Sequence, residues 1–159
     1  MRRLAAANCF SFFIFHFLMP IPVYEHQIIV SPADIDENNH ANNVCFVRWM
    51  QEAATAHSAA NGWSSERYIE LGQIWVARRH TVEYLRPALE GDCITVQTWV
   101  SSWKNVSSVR KYRFVRDSDS VALATAETNW AFVNTSTGRP VKIPKIVGDS
   151  FTIPEYPPG

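Results

Sequence analysis

The chain has 159 residues, enough for one domain with a buried core, and its 47% hydrophobic and 13% aromatic content excludes a disordered chain. Lys plus Arg and Asp plus Glu number 15 each, so the formal net charge is zero and the basic excess of a general nucleic-acid binder is missing. Zero charge together with six Trp points to apolar surface covered by a partner, most simply a second copy of the chain.

Residues 1–22 stand apart from the rest. Met1-Arg-Arg3 precedes an apolar run from Leu4 to Leu18 that is built like the first two regions of a signal peptide. Asn8, Ser11 and His16 interrupt it, no small-x-small cleavage site follows, and about 15 residues are fewer than the roughly 20 that span a bilayer. Three readings stay open: a non-native or upstream-start extension, an export or anchor segment, or a packed strand or helix. In each case no stable membrane span is expected, and the folded domain is placed at residues 23–159. Cys9, Cys45 and Cys93 are scattered, without CxxC or Cys/His ligand spacing, so neither a zinc site nor a disulfide framework is expected. A reducing, cytoplasmic setting fits that usage.

Tyr24 to Val30 reads as a first strand ended by Ser31-Pro32. A helix is expected from Asn43 to about Ala60, with Phe46, Val47, Met50, Ala53, Ala54 and His57 on one apolar face that Val44 and Trp49 widen. Asn42 and Asn43 are candidates for its N-cap, and Asn61-Gly62 for its left-handed stop. Trp63 to Leu71 reads as a loop or short second helix closed by Gly72. The period then changes to two, giving strands at Gln73 to Arg86, Ile94 to Ser102, Val106 to Arg116 and Val121 to Asn134, with turns of polar residues between them. A last strand would be short, and the proline-rich tail from Pro144 to Gly159 is expected to run extended over the surface. Short connections force antiparallel neighbours, so the fold class is α+β: one long central helix wrapped by a five- to six-stranded antiparallel sheet.

The chemistry concentrates in Asp34-Ile-Asp-Glu-Asn-Asn-His-Ala-Asn-Asn43, a polar loop running straight into the helix. A helix N-terminus offers unpaired N–H groups and partial positive charge, which suit a polarised carbonyl. Asp36, Asn38 and His40 recur at every second position, while Asn42, Asn43 and Val44 supply candidate backbone donors. Plainer roles compete. Asp36 could cap the turn before the helix, Asp34 could bond loop N–H groups, and Asn38 could accept a left-handed backbone. A calcium loop is excluded because Asn39 and Cys45 replace the required Gly and Glu. Cys45 is expected to pack in the core, and Glu83 to serve structure.

The pattern Asp34-x-Asp36-x-Asn38-x-His40-x-Asn42-Asn43-x-x-Phe46-x-x-Trp49-x-x-Glu52-Ala53, with Val82-Glu-Tyr-Leu-Arg-Pro87 and Gly91-Asp92 downstream, resembles the 4-hydroxybenzoyl-CoA thioesterase-like branch of the hotdog superfamily. Bacterial acyl-CoA thioesterases and plant acyl-ACP thioesterases share most of it, and the resemblance covers about residues 24–134. It implies the hotdog fold, a homodimer with one continuous sheet and thioester sites at the interface, often paired into homotetramers, and hydrolysis without metal or bound cofactor. The substrate implied is an acyl-CoA. By position Asp36 matches the catalytic carboxylate, and Asn38 and His40 match residues that orient substrate or water. Phe46, a candidate substrate-binding residue, stands where Tyr is usual and Ala41 where Val is usual, mild departures that could reshape the acyl pocket. Pro87-Ala88 stands where the acyl-ACP branch has Glu-Cys, a departure from the plant-type site. Arg78, Arg79, Lys104 and Arg110 are candidates for the phosphates of coenzyme A, against the plainer reading as solvated strand faces. The rival functions are a hotdog hydratase or dehydratase of acyl thioesters and a non-catalytic acyl-CoA sensor.

Overall fold

The computed structural model describes residues 19–159. The elements are β1 (Tyr24–Ile29), α1 (Asn43–Ala60), α2 (Ser65–Glu70), β2 (Gln73–Tyr84), β3 (Cys93–Trp103), β4 (Ser107–Arg116), β5 (Val121–Asn134) and α3 (Lys145–Gly148). The strands form one antiparallel sheet in the order β1-β3-β4-β5-β2. This is the expected hotdog arrangement, with five strands. The segment expected as a final strand contributes only an isolated bridge from Pro140 to Val133, and α3 interrupts the tail.

Alternation along the strands decides which side chains meet the helix. In β4, Ser108, Arg110, Tyr112 and Phe114 are buried, whereas Lys111 is exposed and Arg113 half-buried on the opposite face. The core lies between that inner face and α1. Phe46, Trp49, Met50 and Ala53 of the helix meet Ile94, Val96, Phe114 and Leu123 of the sheet. A second cluster, around Trp63, Tyr68, Phe132, Val147 and Phe151, closes the end of the sheet near the C-terminus of α1.

The helix ends are set locally. The Asn42 side chain accepts the Val44 N–H at 2.9 Å, making Asn42 the N-cap. Gly62 follows the C-terminus at φ 83°, in the left-handed region that a side chain would strain. Val44, expected to widen the apolar face, is 73% exposed on the first turn. The described part of the chain begins against the far end of the helix, where His57 Nε2 meets the Ile21 carbonyl oxygen at 2.6 Å and Asn61 Oδ1 accepts the Ile21 N–H at 2.8 Å. The questions posed for the apolar run in residues 1–18 lie outside the described residues.

Candidate active site

The polar loop is a small hairpin. The Asp36 N–H donates to the His40 carbonyl at 2.9 Å, the Asn39 N–H donates to the Asp36 carbonyl at 3.0 Å, and Ile35 bridges Ala41. Asn39 takes φ 60°, the left-handed position that closes a three-residue hairpin loop and that Asn tolerates well. The every-second-residue spacing therefore becomes a folded constellation, with Asp36 and His40 opposite each other and Asn38 at the tip. Asp36 is half-buried and its Oδ1 accepts the Asn38 N–H at 2.8 Å, so it does cap the turn. Its second oxygen and the side chains of Asn38 and His40 make no hydrogen bond among the described residues, and Asn38 and His40 are exposed.

The hairpin stands on a rigid base. Asp34 is only 5% exposed and accepts hydrogen bonds from the Ser31 N–H (2.9 Å), the Ser31 hydroxyl (2.8 Å) and the Arg48 guanidinium. Burial by itself would raise its pKa, but those donors and the charge of Arg48 outweigh it and hold the carboxyl at about 2. The Ala41 N–H donates to the Ala88 carbonyl (2.8 Å), and the Tyr84 hydroxyl donates to the Asn43 carbonyl (3.1 Å). Ala88, where the acyl-ACP branch has Cys, is thus the backbone prop of the hairpin. Cys45 is buried with Sγ 3.6 Å from Asp34 Oδ1, and burial followed by the Asp34 charge pushes its thiol pKa up, away from a nucleophilic thiolate.

Several assigned residues are corrected by this geometry. Of the three backbone donors, the Asn42 N–H is taken by the Asp34 carbonyl (2.8 Å) and the Val44 N–H by the Asn42 side chain. The Asn43 N–H has no acceptor among the described residues and remains as the donor at the helix start. Phe46 is 2% exposed, packed against Trp49, Tyr84 and Phe114, so it belongs to the core and not to an open pocket wall. Arg110 is 6% exposed on the inner face, with Nη1 donating to His57 Nδ1 (2.7 Å) and Thr98 Oγ1 (3.2 Å), so it is not part of a solvated strand face beside Arg78, Arg79 and Lys104. The even-numbered register of β4 turns it inward, a fact its charge concealed.

The remaining basic candidates are exposed and dispersed. Arg78 lies at a bulge in β2, Arg79 pairs with Glu127 at 3.5 Å, and Lys104 sits in the β3–β4 turn. The hairpin lies by the end of β2 and the start of β3, so Lys104 is about 35 Å away along the 11 residues of β3. One chain does not bring these groups together. Among the described residues no group of three or more His, Cys, Asp or Glu is placed to hold a metal, and no helix is long and apolar enough to cross a membrane.

A helix wrapped in a five-stranded antiparallel sheet, with an acidic and imidazole-bearing hairpin at the N-terminus of the helix, is the hotdog architecture. Residues 30–151 match the profile of the Thioesterase-like superfamily, and the chain belongs to that family. The fold is similar to that of a 1,4-dihydroxy-2-naphthoyl-CoA thioesterase from Synechocystis, with a TM-score of 0.75 and 16% identity over 80% of this chain and 94% of that one. It is also similar to the 12:0-ACP thioesterase from Umbellularia californica, with a TM-score of 0.72 and 21% identity over 82% of this chain and 51% of that one. In sequence it is 22% identical over 136 residues to oleoyl-acyl carrier protein thioesterase 1 of Arabidopsis thaliana, covering 82% of this chain. The match spans 38% of the Arabidopsis protein, so this chain corresponds to a minor part of that relative's length.

Proposed function

We propose that the chain hydrolyses an acyl-CoA thioester to a free carboxylic acid and coenzyme A. The observation that supports this is the hairpin, which puts Asp36 opposite His40 with Asn38 at its tip and leads into α1, whose first N–H, that of Asn43, has no acceptor among the described residues. In this reading the thioester carbonyl accepts a hydrogen bond from the Asn43 N–H, at the positive end of the helix. Asp36 attacks the carbonyl carbon or deprotonates the attacking water, and His40 and Asn38 orient the reacting groups. Arg78, Arg79 and Lys104 are the basic residues left at the surface for the coenzyme phosphates. No metal or bound cofactor is required, and a reducing cytoplasm suits the exposed Cys93.

The same reading takes the chain to a homodimer, with tetramers as a further pairing. β2 is a 12-residue strand at the edge of the sheet, with Val76 and Tyr84 exposed on it, and a long edge without a partner among the described residues needs a cover. Pairing two β2 strands would bring a second copy to the dispersed basic residues. Coenzyme A is preferred over an acyl-carrier protein because Ala88, buried under the hairpin, replaces the Cys of the acyl-ACP branch.

The test is thiol release from short, long and aromatic acyl-CoAs by wild type and by Asp36→Asn. The amide keeps an oxygen for the Asn38 N–H, so the hairpin survives the substitution while the carboxylate is lost. A fall in kcat of about three orders of magnitude or more, with unchanged thermal stability, is expected. Normal turnover by the mutant would remove Asp36 from the mechanism. No turnover by wild type, with tight acyl-CoA binding, would leave the sensor, and consumption of an enoyl-CoA without thiol release would leave the hydratase.

A further inference from the structure

Away from the hairpin, the C-terminal half of α1 and the ends of β2 to β5 enclose a cavity of about 290 Å³. Its walls are aromatic, from Trp63, Tyr68, Trp75, Trp103, Trp130 and Phe151, and Arg110 lines it as well. A buried guanidinium normally has a carboxylate partner, because an uncompensated charge in the interior is strongly destabilising. Arg110 has none within 4 Å among the described residues. Its bonds use Nη1 alone, one to His57 and one to Thr98, and neither supplies negative charge. His57 is held neutral, its Nδ1 accepting from Arg110 while Nε2 faces the Ile21 carbonyl oxygen. The Arg110 Nε and Nη2 therefore carry three N–H donors without an acceptor among the described residues.

We propose that this cavity is a binding site for a carboxylate carried on an apolar or aromatic stem, about ten heavy atoms in all, and that Arg110 recognises the carboxylate. The size follows from the volume, at roughly 30 Å³ for each water-sized group. A carboxylate is an acceptor only and matches the two-pronged edge formed by Nε and Nη2, while the indole walls take the stem. The site stands whether or not the hairpin hydrolyses thioesters. From Asn43 to Thr55 the helix rises about 18 Å, so the cavity is not the immediate surroundings of the proposed reacting carbonyl in the same chain.

The experiment is titration of the full chain with octanoate and with 1-octanol, followed by the fluorescence of the lining tryptophans and by calorimetry. Wild type is expected to bind octanoate at least about tenfold more tightly than 1-octanol, the fold-change of a charge-assisted hydrogen bond. In Arg110→Met the two affinities should fall within about twofold of each other. Thr55→Trp, at an exposed helical position on the rim, leaves Arg110 in place and should weaken both ligands about tenfold, which decides the matter if Arg110→Met does not fold. Equal affinities in wild type, octanoate binding that survives Arg110→Met or Thr55→Trp, or no octanoate binding at all (as when a second copy's carboxylate already occupies Arg110) would overturn the proposal.

Discussion

Asp34 and Asp36 are two residues apart and meet opposite surroundings. Asp34 is buried among Ser31 and Arg48 and holds the loop, whereas Asp36 keeps one oxygen free at the hairpin surface. The burial of His57 gives a further residue-scale consequence. Burial first, then the Arg110 guanidinium, hold its pKa down at about 4, against an ordinary value of 6.5. The other side chains against it, Tyr24 and Phe151, are aromatic rings and add no charge. Between pH 6.5 and 4 the unfolded chain therefore binds a proton that the folded chain refuses, and stability falls as pH falls, by up to about 3 kcal/mol at the lower end. His80, also lowered by burial, acts in the same direction, and loss of the Asp34 carboxylate adds to it below pH 4. Urea midpoints should drop between pH 7 and 4.5, and His57→Gln, which can still accept from Arg110 and donate to Ile21, should flatten that drop. An unchanged midpoint in wild type would contradict a neutral, buried His57.

At the scale of elements, α1 joins the hairpin to the core and its first turn is where the two meet. The Asn42 side chain satisfies the Val44 N–H, and Asn42→Ala should cost about 1 kcal/mol in urea unfolding. It also frees a donor one residue beyond Asn43 and loosens the entry to the helix, so kcat with acyl-CoA should fall as well. A variant as stable as wild type would mean that the Ala41–Ala88 and Asn42–Asp34 backbone bonds fix the helix start without the cap. β2 shows the other side of element-level design. Its C-terminal end packs on α1 through Val82 and Tyr84, its outer edge has no partner among the described residues, and the bulge at Arg78 breaks the ladder to β5 at mid-strand.

For the whole molecule, the open β2 edge, the zero net charge and the dispersed basic residues all point to assembly. Light scattering should return at least twice the 18.1 kDa of one chain, and a monomeric mass at micromolar concentration would refute the dimer and the shared site with it. The two ends of α1 carry different chemistry, the hairpin with Asp36 at one and the cavity with Arg110 at the other. The relatives that match over only 38% or 51% of their own length show that a domain of this kind also occurs within chains much longer than this one.

Periodicity and local punctuation were enough to read the architecture from the residues alone. The change of period from helix to strand after Gly72, the turns around Gly91 and Asp117, and the Asn42 and Gly62 caps are local signals, each set by one stretch of backbone. The hairpin's composition was equally legible, since Asp36, Asn38 and His40 lie within five residues of each other. What tertiary structure decided was direction and pairing. Arg110 resembles any basic residue of a solvated strand until the register of β4 against β3 and β5 turns it under the helix, onto His57, 53 positions earlier in the chain. Its one early signal was alternation with the apolar Tyr112 and Phe114, which put it on the inner face of the strand. Phe46 likewise became core only when Tyr84 and Phe114 closed around it, and the Asn42 N–H was lost as a donor only when the Asp34 carbonyl reached it. Such contacts join residues far apart in the chain or facing each other across a turn, and the local backbone signal of one partner does not reveal the other.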